Sequence, residues 1–117
     1  MDAEAVAELF AEFGEVRCKR MFGGLGIYAG ELMFGLVADG EVFLKADGET
    51  RERFEAAGST PFSYARRTGR TAVMSYWRLP SEGLDDPEAA AVWARLGLDA
   101  ARRAAAAKPP RRGKRGG

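Results

Sequence analysis

Histidine is absent from the 117 residues. That removes Ser-His-Asp and Cys-His catalysis and the commonest transition-metal ligand. Cysteine occurs once, as Cys18, so the chain forms no internal disulfide. One thiol without histidine makes neither a structural zinc site nor an activated nucleophile. Cys18 therefore reads as a small apolar packing residue, and a lone thiol fits a reducing compartment. No apolar run approaches the ~18 residues of a membrane span. The acidic opening Met1-Asp2-Ala3-Glu4 lacks the basic start of a signal peptide. The expectation is a cytoplasmic protein with no catalytic residues, no cofactor, no metal and no membrane contact.

The last ten residues are basic and hold no acid. Residues 108–117 hold Lys108, Arg111, Arg112, Lys114 and Arg115, and without these five the net charge of +1 becomes −4 for residues 1–107. The length suits one domain with a single core, placed at residues 1–107, followed by a disordered basic tail rich in Pro, Gly and Arg. The tail has two readings, a solubilising end or a contact with nucleic acid or another polyanion. The second predicts binding that weakens steeply with salt and disappears when the tail is deleted.

What is present in quantity is glycine, at 15 residues. Three of these stand in Met21-Phe22-Gly23-Gly24-Leu25-Gly26-Ile27-Tyr28. A phosphate-loop reading fails there: the spacing is not G-x-G-x-x-G, no lysine follows at the Walker position, and a strand follows instead of a helix. The alternative is the tight entry bend of a β-meander, with backbones in close approach. Gly30-Glu31 and Asp39-Gly40 then separate strands at 25–29, 32–38 and 41–45, and Asp-Gly is a strong hairpin signal. By simple alternation Leu32, Phe34 and Leu36 face one way and Met33, Gly35 and Val37 the other, so this strand is central. In the next strand Val42 and Leu44 oppose Glu41, Phe43 and Lys45.

Helices flank these strands. Asp2 caps a first helix with apolar residues Val6, Leu9, Phe10 and Phe13, stopped by Gly14. A strand follows at 16–22. Asp47 caps a short, lightly packed helix at 48–57, closed by Gly58. Strands at 61–64 and 70–78 follow, joined by a reversal at Arg66-Arg67-Thr68-Gly69. Asp86-Pro87 opens the last helix, which carries Trp93, Leu96, Ala100 and Ala104 on one face and Val92 at its flank. Gly97 within it lets the helix approach the sheet. The order gives a two-layer α+β domain, an antiparallel sheet with helices on one face.

Such a sheet leaves its second face to be explained. Phe43, Lys45, Arg70, Met74, Tyr76 and Arg78 would share it. Aromatics among cations suit a subunit or partner interface, or a nucleic-acid platform; the remaining reading is a solvated face. Asp39 and Asp85-Asp86 are explained by a turn and a helix cap. An Arg/carboxylate cleft for a small molecule or an enzyme reaction would need a convergent pocket around Arg20, Lys45 or Tyr64.

Arg20-Met21-Phe22-Gly23-Gly24-Leu25-Gly26-Ile27-Tyr28, Phe43-Leu44-Lys45-Ala46-Asp47, Pro61-Phe62-Ser63-Tyr64, Met74-Ser75-Tyr76-Trp77-Arg78-Leu79-Pro80 and Trp93-Ala94, in that order and spacing, resemble the N-terminal domain family of the TfoX/Sxy competence regulators. The resemblance covers residues 3–105 and is read as a stand-alone domain. It implies a bacterial cytoplasmic protein of the secretion-chaperone-like α+β class. Family members that regulate competence act on transcription with a cyclic-AMP receptor protein and carry a second, helical domain. No catalytic residues carry over. The motif residues are structural in this reading: Met21, Phe22, Tyr76 and Trp77 pack, while Gly23, Gly24, Gly26 and Pro80 shape the backbone. The resulting expectation is a non-enzymatic regulatory or interaction module, a homodimer or bound to a protein partner. The alternatives are a nucleic-acid accessory protein using the tail, and the cleft-bearing binder or enzyme.

Overall fold

Asp2 begins the fold as expected, its carboxylate accepting the Ala5 N–H at 2.9 Å at the start of α1 (Ala3–Leu9). The structure is a computed structural model that describes residues 1–21, 23–65 and 71–107; at 63–65 and 71–74 it describes the backbone. α1 leads to β1 (Arg17–Met21), β2 (Gly24–Ala29), β3 (Leu32–Ala38) and β4 (Glu41–Lys45). Then come α2 (Arg51–Ala56), β5 (Pro61–Ala65), β6 (Thr71–Arg78), α3 (Ser81–Asp85) and α4 (Pro87–Ala107). The strands form one antiparallel sheet in the order β1-β2-β3-β4-β6-β5. This is the α+β arrangement that the two-residue turns imply. Asp39 and Gly40 both have positive φ, at 53° and 75°, the requirement of a type I′ hairpin. The reversal expected at 66–69 lies outside the described residues.

The helices cover one face. Val6 of α1 and Phe10 just after it, Phe54 of α2, and Ala90, Trp93, Ala94, Leu98 and Ala101 of α4 bury against Ile27, Phe34, Val37, Val42 and Leu44. Gly97 allows the close approach of α4: a Cβ there would lie 3.0 Å from the Phe34 carbonyl oxygen and 3.4 Å from Leu44 Cβ.

Several expectations need correction. First, α1 stops at Leu9, and looser turns carry the chain through Phe13 to Gly14, whose N–H reaches the Phe10 carbonyl. Second, strict alternation fails in β3. Ile27 pairs with Gly35 and Tyr28 with Met33, so Phe34 is an extra residue, a β-bulge. The bulge turns Leu32, Phe34 and Val37 toward the helices and sends Met33 and Leu36 to the other face. Third, the 48–57 segment becomes helical only from Arg51, and its packing is not light. Phe54 is fully buried, with its ring centroid 4.8 Å from Trp93 and 6.4 Å from Trp77. Fourth, α3 was not expected; its Glu82 carboxylate accepts the Trp93 indole N–H at 2.8 Å. Fifth, the buried stripe of α4 runs through Ala90, Trp93, Ala94, Gly97, Leu98, Ala100 and Ala101, while Ala104 and Val92 are exposed.

Asp47 caps a turn, not a helix. Its carboxylate accepts the Glu49 N–H at 3.0 Å and the Thr50 hydroxyl at 3.4 Å. It also accepts two bonds from the Arg103 guanidinium of α4, at 2.7 and 3.2 Å. The hydrogen bond from Arg103, helped by the Glu49 N–H, holds the Asp47 carboxyl below the usual carboxylate range, against a smaller opposing effect of burial. Ionised Asp47 therefore stabilises the fold. That contribution is complete above the unfolded carboxylate pKa of ~3.9 and fades as pH falls through the lower folded value. Asp47→Asn should cost about 1 kcal/mol at pH 7, because the pair is partly exposed. Urea denaturation of both proteins should show the difference shrinking below pH ~4; a difference constant down to pH ~2 would assign the loss to the turn alone.

Candidate interaction surface

The register assembles the uncovered face row by row. Lys19, Gly26, Leu36, Phe43 and Arg78 are successive partners across β1, β2, β3, β4 and β6. Beside this row, Arg17 pairs with Tyr28 and Tyr28 with Met33, and further along Lys45 pairs with Tyr76. β5 adds Phe62, edge-on to Phe43 with centroids 4.8 Å apart. Leu36, Phe43 and Tyr76 form a second apolar cluster, with Met33, Ala38 and Phe62 packed on it. Gly26 has no side chain, so Met21 and Tyr28 lean over it: a Cβ there would meet Met21 Sδ at 3.0 Å and the Tyr28 ring at 3.2 Å.

Cations rim this cluster. Lys19 and Arg17 lie over the Tyr28 ring at 5.6 and 5.9 Å, and Lys45 lies over Tyr76 at 5.1 Å. Arg17 also donates to the Gly30 carbonyl at 2.9 Å. Arg78 pairs with Glu41 at 2.9 Å. Among the described residues, Arg17, Lys19 and Lys45 have no carboxylate partner. Burial, with the neighbouring Tyr28 second, pushes the Tyr76 phenol up from its ordinary value, so it stays neutral. The face thus has an apolar centre and a basic edge, while residues 1–107 as a whole carry −4.

Of the residues expected on this face, Phe43, Lys45, Tyr76 and Arg78 come together. Arg70 lies outside the described residues, as does the side chain of Met74. Tyr28, Arg17, Lys19, Met33, Leu36 and Phe62 were missed. Placing Tyr28 opposite Met33 was within reach by counting back from the Gly30-Glu31 turn. Placing Leu36 was not, because the bulge at Phe34 has no sequence signal. Phe22 and the five tail cations, Lys108, Arg111, Arg112, Lys114 and Arg115, are outside the described residues.

The other motif residues sit at structural positions. Met21 is half-buried over Gly26, Gly23 has φ +75°, and Gly24 abuts the Val37 carbonyl oxygen. Trp77 packs on the helix side, and buried Pro80 precedes α3.

An open hollow of about 840 Å³ lies at the start of α1, lined by Cys18, Arg20, Leu25, Val37 and the acids Asp2 and Asp39. It gathers Arg20 only; Lys45 lies on the opposite face, and the Tyr64 side chain is outside the described part. Burial pushes the Cys18 thiol up, away from the thiolate a nucleophile needs. Among the described residues no group of three or more Cys, Asp or Glu could hold a metal ion, and no helix is long and apolar enough to cross a membrane.

The fold and this face define a small α+β domain with an open, cation-rimmed sheet face, and the glycine-rich β1–β2 corner is its signature. The family model for the TfoX N-terminal domain matches residues 8–101, and the chain belongs to that family. It is also 35% identical over 66 residues to the DNA transformation protein TfoX1 of Aliivibrio fischeri (strain ATCC 700601 / ES114). The match takes in 56% of this chain and 31% of that relative, so the chain spans about a third of the relative's length.

Proposed function

We propose that this protein is a competence-related regulatory module that breaks no bonds and acts by holding a protein partner on the open face of its sheet. Family membership and a relative named as a DNA transformation protein support the process. The observation that carries the mode of action is the composition of the open face. Leu36, Phe43 and Tyr76 make an apolar centre, and Arg17, Lys19, Lys45 and Arg78 make a polar edge rich in arginine and lysine. Interfaces that associate reversibly have this anatomy.

A partner of a different kind is favoured over a second copy joined through β1. That edge strand carries Arg17, Lys19 and Arg20 within five residues, and pairing it with itself would set like charges together, a familiar guard against sheet extension. The test is the triple variant Lys19→Glu/Lys45→Glu/Arg78→Glu in the bacterium that encodes the protein. DNA uptake and transcript levels should fall to those of a deletion strain. Arg51→Glu/Arg102→Glu, on the helix layer, should leave both unchanged. Circular dichroism and the thermal midpoint establish that each variant folds. A folded triple variant with full activity would reject the open face as the working surface.

A further inference from the structure

The apolar centre of the open face is not flat. At its β5 side lies a hollow of about 310 Å³ with Ala38, Phe43, Pro61 and Phe62 as its apolar lining and Asp39 and the Glu41–Arg78 ion pair at its lip. That volume is at the lower end of the ~300–1,000 Å³ of small-ligand sites, and suits one inserted side chain better than a whole ligand. Affinity at interfaces concentrates in such places, where a single large side chain enters a preformed pocket.

The surroundings set the chemistry of what enters. Of the two lip acids, Glu41 is already paired with Arg78 at 2.9 Å, and Asp39 sits on the β3–β4 turn, at the end of β4 away from Lys45. Beyond the lip the charges are positive and lack carboxylates among the described residues: Lys45 two residues along β4, and Lys19 and Arg17 on β1. Lys19 is three strand spacings from Phe43, ~14 Å. An extended segment covers that distance in about four residues.

We infer that the hollow at Phe43, Pro61 and Phe62 receives one large apolar side chain from an acidic segment of the partner protein, with a carboxylate about four residues away meeting Lys19 and a nearer one meeting Lys45. The inference rests on the open face being the interface. A single-stranded nucleic acid would also satisfy the cations, but it binds by stacking bases on accessible rings. Here Phe43 and Tyr76 expose only 6% and 8% of their surface, and Lys45 already lies over Tyr76. Phe43 lines the socket and Tyr76 is covered by Lys45, so neither offers a free stacking face.

The probe is a blocked nine-residue peptide with a central Phe and Asp/Glu on both sides, titrated into the isotope-labelled full chain and followed by amide NMR shifts. Two companions replace the Phe by Ala, or every acid by its amide. Shifts should centre on Phe43, Phe62 and Arg78, and both companions should bind about tenfold or more weakly. Phe62→Ala, with its fold checked by the same spectra, should weaken the Phe peptide to the level of the Ala peptide and leave the Ala peptide unchanged. Equal binding of the Phe and Ala peptides on the open face would reject the anchor and leave the surface standing. Equal binding of the amide peptide would reject the acidic partner. Shifts confined to the helix layer, or none at about 1 mM peptide, would reject both the anchor and the surface. Displacement of the peptide by a short oligothymidylate at lower concentration would replace the protein partner with a nucleic acid.

Discussion

Gly24→Ala is expected to remove a large part of the protein's stability. Gly24 opens β2 and pairs with Met21 of β1. On its other side the β3 backbone is so near that an added Cβ would overlap the Val37 carbonyl oxygen and lie 3.1 Å from the Val37 carbonyl carbon. Backbone cannot swing aside as a side chain can, so relief requires β2 and β3 to part. These strands lie at the centre of the packing between sheet and helices. Overpacking typically costs 1–3 kcal/mol where side chains can yield; here about 4 kcal/mol or more is expected. Small domains have only about 5–15 kcal/mol to lose.

The neighbouring glycines make the comparison sharp. A Cβ on Gly23 meets nothing within 4 Å, so Gly23→Ala carries only the strain of φ +75°, about 1 kcal/mol. At Gly26 the nearest atoms are the mobile end of Met21 and the Tyr28 ring, and Gly26→Ala should cost about 1 kcal/mol or less. Urea denaturation of the three variants should therefore rank Gly24→Ala far below the other two. A Gly24→Ala protein with a midpoint close to that of the parent would mean that β2 and β3 are spaced differently.

That contrast also shows how far residue order reaches. The 21–28 stretch was readable as a tight bend with close backbones, because glycine among large apolar residues has few other uses. Asp39-Gly40, Asp2 and Asp86-Pro87 were readable for the same kind of reason: each encodes a local backbone state. Asp86 accepts the Glu88 N–H at 3.0 Å, as a cap at that position should. Features settled by distant partners were not readable. Ser81-Glu82-Gly83-Leu84-Asp85 has no helical periodicity, and its helix is fixed from outside, by the Trp93 indole on Glu82 and by Leu79 against Gly83. Phe54 looked lightly packed because its short helix offers few apolar residues, yet Trp77 and Trp93 arrive from other elements to enclose it. The open face divides in the same way. Alternation within single strands put Phe43 with Lys45 and Tyr76 with Arg78. Joining Lys19 and Tyr28 to them required the register of five strands.

Phe34→Ala is the second large effect expected, a loss of about 4 kcal/mol. Phe34 is fully buried, with its ring centroid 5.2 Å from Phe13 and 6.0 Å from Phe10. Its carbonyl oxygen is what α4 approaches at Gly97. It is also the bulged residue, so its place in the core and the facing of the rest of β3 are one fact. With the bulge, Leu36 belongs to the open face beside Phe43. Without it, Leu36 would share the helix side with Phe34, and the apolar centre of the proposed interface would lose a member. Double-mutant cycles separate the two arrangements. Phe34→Ala and Leu36→Ala lie on opposite faces and should add within about 0.5 kcal/mol. Leu36→Ala and Phe43→Ala lie in one cluster and should couple by about 1 kcal/mol. The reverse pattern would place Leu36 under the helices and remove the socket's neighbour, so a stability measurement bears directly on where a partner can sit.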